Sequence, residues 1–271
     1  MILFIPILIQ FIIFGKVYEK IISIIIAAPV LNLFMMCGSR GGAIGIAVSF
    51  LVLFTLQWKK ENLLKISIAG LIFILVFYIL MGTGYRDRLF NLSSSLKQGQ
   101  MEQSSAGRIS IWINSLNIIK DYPFGVGGGG YLELSPRYLP TELLSVETGK
   151  RACHNTYLLF LIEQGPVGLV LYLSFIYTTF KLLFNGKNII LKINKLTSQK
   201  ERDENTFLLS QIIAIISSLS GFWTASFFID RVYFEGIYIF SALAVATNLI
   251  VNSKHHRQAI NADGIAAART A

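Results

Sequence analysis

The sequence predicts an all-α integral membrane protein with about seven transmembrane helices, and three observations support this fold class. Of the 271 residues, 54% are hydrophobic and only 14% are charged, which lies outside the range of soluble globular proteins. The apolar residues form long runs, and a helix needs about 20 of them to cross a bilayer core of about 30 Å. No alternation of period two runs through these stretches, so they do not resemble the strands of a membrane barrel.

Seven apolar runs are candidates for the spans, and the first is short for a full crossing. They are Ile2–Phe14, Ile21–Cys37, Ala43–Gln57, Ile66–Met81, Tyr157–Phe184, Phe207–Phe228 and Val232–Val251. Each is predicted to be helical because backbone groups in lipid must bond within their own segment. Gly165 and Pro166 are expected to kink the fifth span, since proline has no amide proton.

Lysines and arginines predict the orientation of the spans. Most of them lie in turns at one end of the bundle and after residue 252, which we expect to face the cytoplasm. The chain then divides into N-terminal transmembrane helices (1–81), an extracytoplasmic loop (82–153), C-terminal transmembrane helices (154–251) and a disordered cytoplasmic tail (252–271). This topology and anionic lipid head groups account for the net charge of +9, so no nucleic-acid partner is expected.

The loop before the fifth span contains a predicted amphipathic helix. Ile109, Trp112, Leu116 and Ile119 recur at helical spacing, and polar residues occupy the positions between them. This helix either lies along the membrane surface or packs on neighbouring spans, and the two interpretations are compatible. Arg108 stands at its start. A glycine run at 125–130 follows it, and such a run can curl its amides around a phosphate.

Two further residues carry chemistry near the predicted outer end of the bundle. Arg40 lies where the second and third spans meet, and it either faces a partner or is a snorkelling interfacial residue. His154 opens the fifth span, and Glu163 follows nine residues later, which places it on the opposite side of an unbroken helix. Glu163 is expected to bond a neighbouring helix or the backbone that Pro166 frees.

These residue types together suit one kind of ligand. Arginine holds a permanent charge in a planar fork that matches phosphate oxygens, and histidine can take a proton near neutral pH. An anionic, reactive and lipid-anchored substrate at the outer leaflet meets these conditions. A polyprenyl pyrophosphate that carries a glycan is such a substrate.

Four short patterns occur in order along the chain. They are SRGG at 39–42, GRISIW at 107–112, D-x-P-x-G-x-G-x-G at 121–129 and HNTYLLFLIEQGPVG at 154–168. Together they resemble the bacterial O-antigen ligase and O-antigen polymerase family, whose members usually have ten to twelve spans, so the chain resembles the C-terminal part of such a transferase. The resemblance implies an inverting glycosyltransferase in the bacterial inner membrane that uses no metal or cofactor. It would move a glycan from undecaprenyl pyrophosphate to a hydroxyl on a lipid-core sugar, on another lipid-linked glycan or on a protein side chain.

The resemblance also implies residue roles. His154 is the candidate base, and Arg108 and Arg40 would hold the diphosphate, with Arg108 also counted as catalytic. Asp230 matches an acidic residue late in the family, although a local ion pair with Arg231 explains it equally well. The other candidate substrate-binding residues are Gly127, Gly128 and Tyr157.

A transporter or flippase of an anionic or lipid-linked substrate is the alternative from another class, because it also uses intramembrane arginine and glycine-broken helices. The depth of Arg40 and Glu163 in the membrane discriminates between the two. Cys37 and Cys153 both fall toward the outer end and could pair, but a small buried hydrophobe is the simpler interpretation of each.

Overall fold

The computed structural model describes residues 1–37, 39–57, 64–68, 70–72, 75, 103–195 and 199–270. Every regular element within these ranges is helical. The helices are α1 (Ile5–Phe14), α2 (Val17–Cys37), α3 (Arg40–Leu56), α4 (Gln103–Asp121), α5 (Gly130–Tyr138), the 3-10 turn Thr141–Leu143, α6 (Thr156–Ile193), α7 (Gln199–Ala225) and α8 (Gly236–Thr270).

Four of the described helices are long and apolar enough to cross a membrane, namely α2, α6, α7 and α8. The helices α1 and α3 are apolar but shorter. The predicted all-α membrane class is therefore confirmed, whereas the number of seven spans is confirmed only in part. Of the predicted span Ile66–Met81, positions 66–68, 70–72 and 75 are described and helical, and the rest lies outside the described residues.

Helix α7 is the centre of the bundle. In its apolar stretch 67% of the residues are buried, against at most 28% in the other three long helices, whose remaining surface is available to lipid. Helix α3 packs along α7 through small residues. A methyl group at Gly45 would come within 2.6 Å of the Gly221 carbonyl oxygen, so the two backbones are in contact.

Helix α6 is kinked where the sequence predicts it. Gly165 has φ 69°, which a helix does not use, and Pro166 offers no amide proton to the carbonyl of Ile162 four residues earlier. That carbonyl accepts a hydrogen bond from the Val126 amide at 3.0 Å, and the Glu163 carbonyl accepts one from the Gly127 amide at 2.9 Å. The segment that joins α4 to α5, residues 122–129, is thereby held against the kink; we call it the glycine loop.

The start of α6 differs from the prediction. The helix begins at Thr156, and Asn155 caps it by accepting hydrogen bonds from the Tyr157 and Leu158 amides. His154 therefore lies outside the helix. The premise that His154 and Glu163 share one unbroken helix was therefore wrong.

The buried face of α4 also differs from the predicted one. Ser115 and Ile118 are fully buried, whereas Ile109 and Leu116 are 44% and 47% exposed. The reason is that α4 carries large apolar residues on all sides, so their spacing does not single out one face. The Ser115 hydroxyl settles the choice because it lies 3.1 Å from the Tyr131 hydroxyl inside the α4–α5 contact. The helix packs on α5 and α6, which agrees with the interpretation that it packs on neighbouring segments of the bundle.

The end of the chain is helical where the sequence suggested disorder from residue 252. Helix α8 continues without interruption to Thr270. Alanine is the strongest helix former, and the last ten residues are rich in it, which explains the continuation.

The contact between the glycine loop and the kink gives a testable prediction. A methyl group at Gly125 would lie 2.6 Å from both the Glu163 carbonyl oxygen and the Gly165 nitrogen, whereas one at Gly149 would meet no atom within 4 Å. Both glycines have positive φ, so alanine costs about 1–2 kcal/mol of backbone strain at either position. We expect Gly125→Ala to lower the thermal unfolding temperature of the purified protein clearly more than Gly149→Ala does. Equal shifts would show that the contact does not stabilise the fold.

Candidate active site

Asp230 fixes the backbone in front of α6. One of its carboxylate oxygens accepts a hydrogen bond from the His154 amide at 2.9 Å, and the other accepts one from the Asn155 amide at 3.0 Å. The Thr156 hydroxyl donates to the Ile229 carbonyl at 2.6 Å and accepts from the Arg231 amide at 3.0 Å. These bonds join the start of α6 to residues 226–235, the α7–α8 turn. The Asp230 carboxylate thus binds the backbone of His154 and Asn155 rather than forming a local ion pair with Arg231.

His154 is held in an unusual conformation. Its φ is 55°, and it is the single non-glycine residue with positive φ in the described part of the chain. A side chain in this region carries strain that the surrounding contacts must hold, and such residues cluster at functional sites. The carboxylate of Asp230 supplies the contacts here.

Helix α4 brings Arg108 to the same place. The Trp112 indole N–H donates to the Cys153 carbonyl at 2.9 Å, so α4 rests on the segment that leads into His154. Arg108 lies one helical turn before Trp112 on the same side of α4, and its charge acts on the imidazole. Within the described ranges, no hydrogen bond or ion pair engages the Arg108 guanidinium.

Arg151 is a second cation beside His154, and the sequence analysis missed it. Its amide donates to the buried Ser135 hydroxyl at 3.0 Å, which fixes the backbone there. Its side-chain Nε is buried without a hydrogen-bond partner in the described residues, and its charge also acts on His154. The sequence did offer one signal, a cation three residues before the histidine. In an irregular segment, however, this spacing does not indicate whether the side chain of Arg151 faces His154.

These surroundings determine the protonation of His154. Burial lowers the pKa of its imidazole most, because burial disfavours the charged form; Asp230 opposes this, and Arg108 and Arg151 lower the pKa further. The imidazole is therefore neutral at pH 7 and able to accept a proton. Burial likewise raises the pKa of the neighbouring Cys153 thiol, which stays protonated. Cys153 and the exposed Cys37 are both free thiols.

Several predicted substrate-binding groups have partners within the protein. The Gly127 amide donates to the Glu163 carbonyl, so it is not available to a phosphate in this structure. The Tyr157 hydroxyl donates to the Trp223 carbonyl at 2.8 Å, which ties α6 to α7. Gly128 lies against the Tyr233 hydroxyl, 2.9 Å from the position that a methyl group would take.

Glu163 is buried and hydrogen-bonded, but its partner lies in the α7–α8 turn rather than on a neighbouring helix or on the backbone that Pro166 frees. Its side chain is 4% exposed, and its carboxylate accepts a hydrogen bond from the Tyr233 hydroxyl at 2.7 Å. The same hydroxyl accepts a bond from the side-chain amide of Gln164 at 3.2 Å. Burial, followed by the bond to Glu163, raises the pKa of Tyr233. The kink is thereby bonded to the α7–α8 turn as well as to the glycine loop.

Arg40 lies at the end of the bundle that also holds the α7–α8 turn. It is the first residue of α3, after Ser39, whose hydroxyl accepts a hydrogen bond from the Gly42 amide at 3.1 Å. Gly41 packs against Phe228, two residues before Asp230. A cavity of about 310 Å³ lies beside this contact and reaches Arg231. The structure thus groups Arg108, Arg151 and Asp230 around His154, with Arg40 at the same end of the bundle.

A sequence profile described as O-antigen ligase matches residues 21–173, more than half of the chain. The chain belongs to the O-antigen ligase family. The part that matches the O-antigen ligase profile includes Arg40, Arg108, Arg151 and His154, whereas Asp230 lies beyond it. No curated protein and no solved structure matches the chain.

Charge removal near His154 should change its titration in this O-antigen ligase family member. Arg151→Ala removes a cation that lowers the pKa of His154, so we expect this pKa to rise. Lys150→Ala is the matched control, because Lys150 is bonded to Glu133 at 2.6 Å on the surface and should leave the pKa nearly unchanged. Histidine NMR in a His255→Gln/His256→Gln background would measure both. Equal effects of the two variants would mean that Arg151 does not face the imidazole.

Proposed function

We propose that this protein is a glycosyltransferase that moves a glycan from undecaprenyl pyrophosphate to an acceptor hydroxyl at the outer face of the bacterial inner membrane. Membership of the O-antigen ligase family supports a ligase-like activity in general. The observation that carries the finer proposal is the main chain of His154, held in place by the Asp230 carboxylate, with the two guanidinium groups of Arg108 and Arg151 acting on its imidazole.

The guanidinium groups would bind the donor. Arg108 and Arg151 have no acidic partner in the described residues, so their charge is available to an anion. Guanidinium forks match phosphate oxygens and keep their charge at any physiological pH. Arg40, at the same end of the bundle, would add a further cation. The donor diphosphate would then leave on arginine charge without a metal ion.

His154 would act on the acceptor. Its neutral imidazole takes the proton of the acceptor hydroxyl while that oxygen forms a bond to the anomeric carbon of the donor sugar. The bond from this carbon to the diphosphate oxygen breaks, and its electron pair leaves with the diphosphate. Attack from the side opposite the leaving group inverts the anomeric centre. The same donor site would serve a ligase, whose acceptor is a lipid-core sugar, and a polymerase, whose acceptor is another lipid-linked glycan.

The position of Arg40 and the bond of Glu163 support the transferase over the transporter. A carrier would place both residues at mid-depth along one pathway. Arg40 instead begins α3 at the His154 end of the bundle. Glu163 is buried and bonded to Tyr233 of the α7–α8 turn.

Removing the proposed base or the proposed donor cation should reduce transfer. A positioned base contributes about 10²- to 10⁴-fold, so we expect His154→Ala to lower the rate by that range and to leave a residual rate. Arg108→Ala should raise the KM for the lipid-linked donor. The measurement is transfer of a labelled glycan by the full-length gene product in membranes, with His255→Ala as control. Wild-type transfer by both variants would refute the assignment of these residues.

Asp230 should behave as a positioning residue. Asp230→Asn replaces one of the two accepting oxygens by an amide nitrogen, so His154 loses part of the support for its strained backbone. Misplacement of a catalytic group by about 1 Å can cost about 100-fold in rate. We therefore expect kcat to fall by about tenfold to a hundredfold while the KM for the donor changes little. Asp203→Asn, at an exposed position, serves as control. A rise in the KM for the donor as large as the fall in kcat would instead indicate that Asp230 binds the donor directly.

A further inference from the structure

A polar groove lies between α6 and α8 at the end of the bundle opposite His154. Its volume is about 350 Å³. The side chains that line it are mostly amides, namely Asn185 and Asn188 of α6 and Asn248 and Asn252 of α8, together with Lys192. All of them lie inside the stretches of α6 and α8 that are long and apolar enough to cross a membrane. Side chains of this kind are unexpected on a lipid-facing surface.

Helical spacing places these side chains on one face of α6 and one face of α8. Asn185, Asn188 and Lys192 are spaced by three and four residues and therefore share one face of α6. Asn248 and Asn252 are four residues apart on α8. Gly186 leaves room between the helices, since a methyl group there would lie 3.7 Å from Asn248 Oδ1.

The amides of the groove do not bond each other. Asn248 Oδ1 is buried without a hydrogen-bond partner, and no hydrogen bond joins the four amides to other described residues. By contrast, Thr179 and Ser241, nearer the His154 end of the same interface, are bonded at 3.4 Å. Asn185, Asn188 and Asn252 are exposed, so Asn248 Oδ1 is the buried group of the groove that lacks a partner among the described residues. Such a group is costly, so the groove is suited to a polar occupant that bonds it.

We propose that this groove binds the head group of an anionic phospholipid. The four side-chain amides together carry eight N–H donors suited to phosphate oxygens, and the Asn248 oxygen can accept a bond from a head-group hydroxyl. Lys192 supplies positive charge, and no carboxylate lines the groove among the described residues. The lysine distribution places this end at the cytoplasmic leaflet, where anionic lipids attract basic residues.

This site is independent of the proposed donor site. Asn185 lies 29 residues after the first residue of α6, which corresponds to about 44 Å at 1.5 Å per residue. Loss of head-group binding would therefore leave the transferase proposal intact, and loss of transfer in the His154 variant would leave this one intact. Free phosphate offers the same oxygens but has no acyl chains to lie along α6 and α8.

Native mass spectrometry of the full chain in detergent would test the proposal, with phosphatidylglycerol and phosphatidylcholine as probes. Lys192→Ala should weaken phosphatidylglycerol binding by about fivefold, the effect expected of one basic residue near an anionic head group. Asn252→Leu should weaken it as well. Lys195→Ala removes the same charge three residues away, outside the groove, and should leave binding unchanged.

Three outcomes would overturn the proposal. Equal weakening by Lys192→Ala and Lys195→Ala would indicate general surface charge. Equal retention of phosphatidylcholine and phosphatidylglycerol by the wild type would remove the anionic preference. Complete displacement of the lipid by millimolar inorganic phosphate would assign the groove to free phosphate.

Discussion

The main-chain bonds between the glycine loop and α6 are the constraint on which the candidate site depends. Pro166 deprives the Ile162 carbonyl of its helical partner, and the Val126 amide takes that place. The loop connects α4 to α5, so docking it on the kink also docks α4 beside the start of α6. This contact acts together with the bond from the Trp112 indole to the Cys153 carbonyl to fix Arg108 relative to His154. A defect in one helix thus becomes the attachment point of a separate segment.

The α7–α8 turn completes the arrangement from the other side. Asp230 lies 76 residues after His154 in sequence, yet its carboxylate accepts hydrogen bonds from the backbone amides of His154 and Asn155. Tyr233 of the same turn binds Glu163 at the kink. The site is consequently a junction of three segments that are distant in sequence. Its geometry requires the spans to be packed, and α7, the most buried of them, provides that packing.

The sequence predicted the parts of this structure that depend on local chemistry. The apolar runs indicated helices, Gly165 and Pro166 indicated the kink, and residue type singled out Arg108 and His154. The parts that depend on tertiary contacts were not predictable. Arg151 lies in an irregular segment without periodicity, and the buried face of α4 is chosen by the bond between Ser115 and Tyr131. The role of Asp230 rests on amides that any residue would have offered, so no side-chain pattern indicates it.

The left-handed backbone at His154 has a consequence for the chemistry that a residue there can perform. A histidine on a regular helix would share the orientation of its neighbours and could reorient only by changing its rotamer. Here the main chain itself is turned and tied by the Asp230 carboxylate, so the cost of the strained backbone that carries the imidazole is met when the protein folds. In the proposed transfer, an incoming hydroxyl would meet a proton acceptor whose main chain is already fixed, which leaves less reorganisation for the moment of reaction.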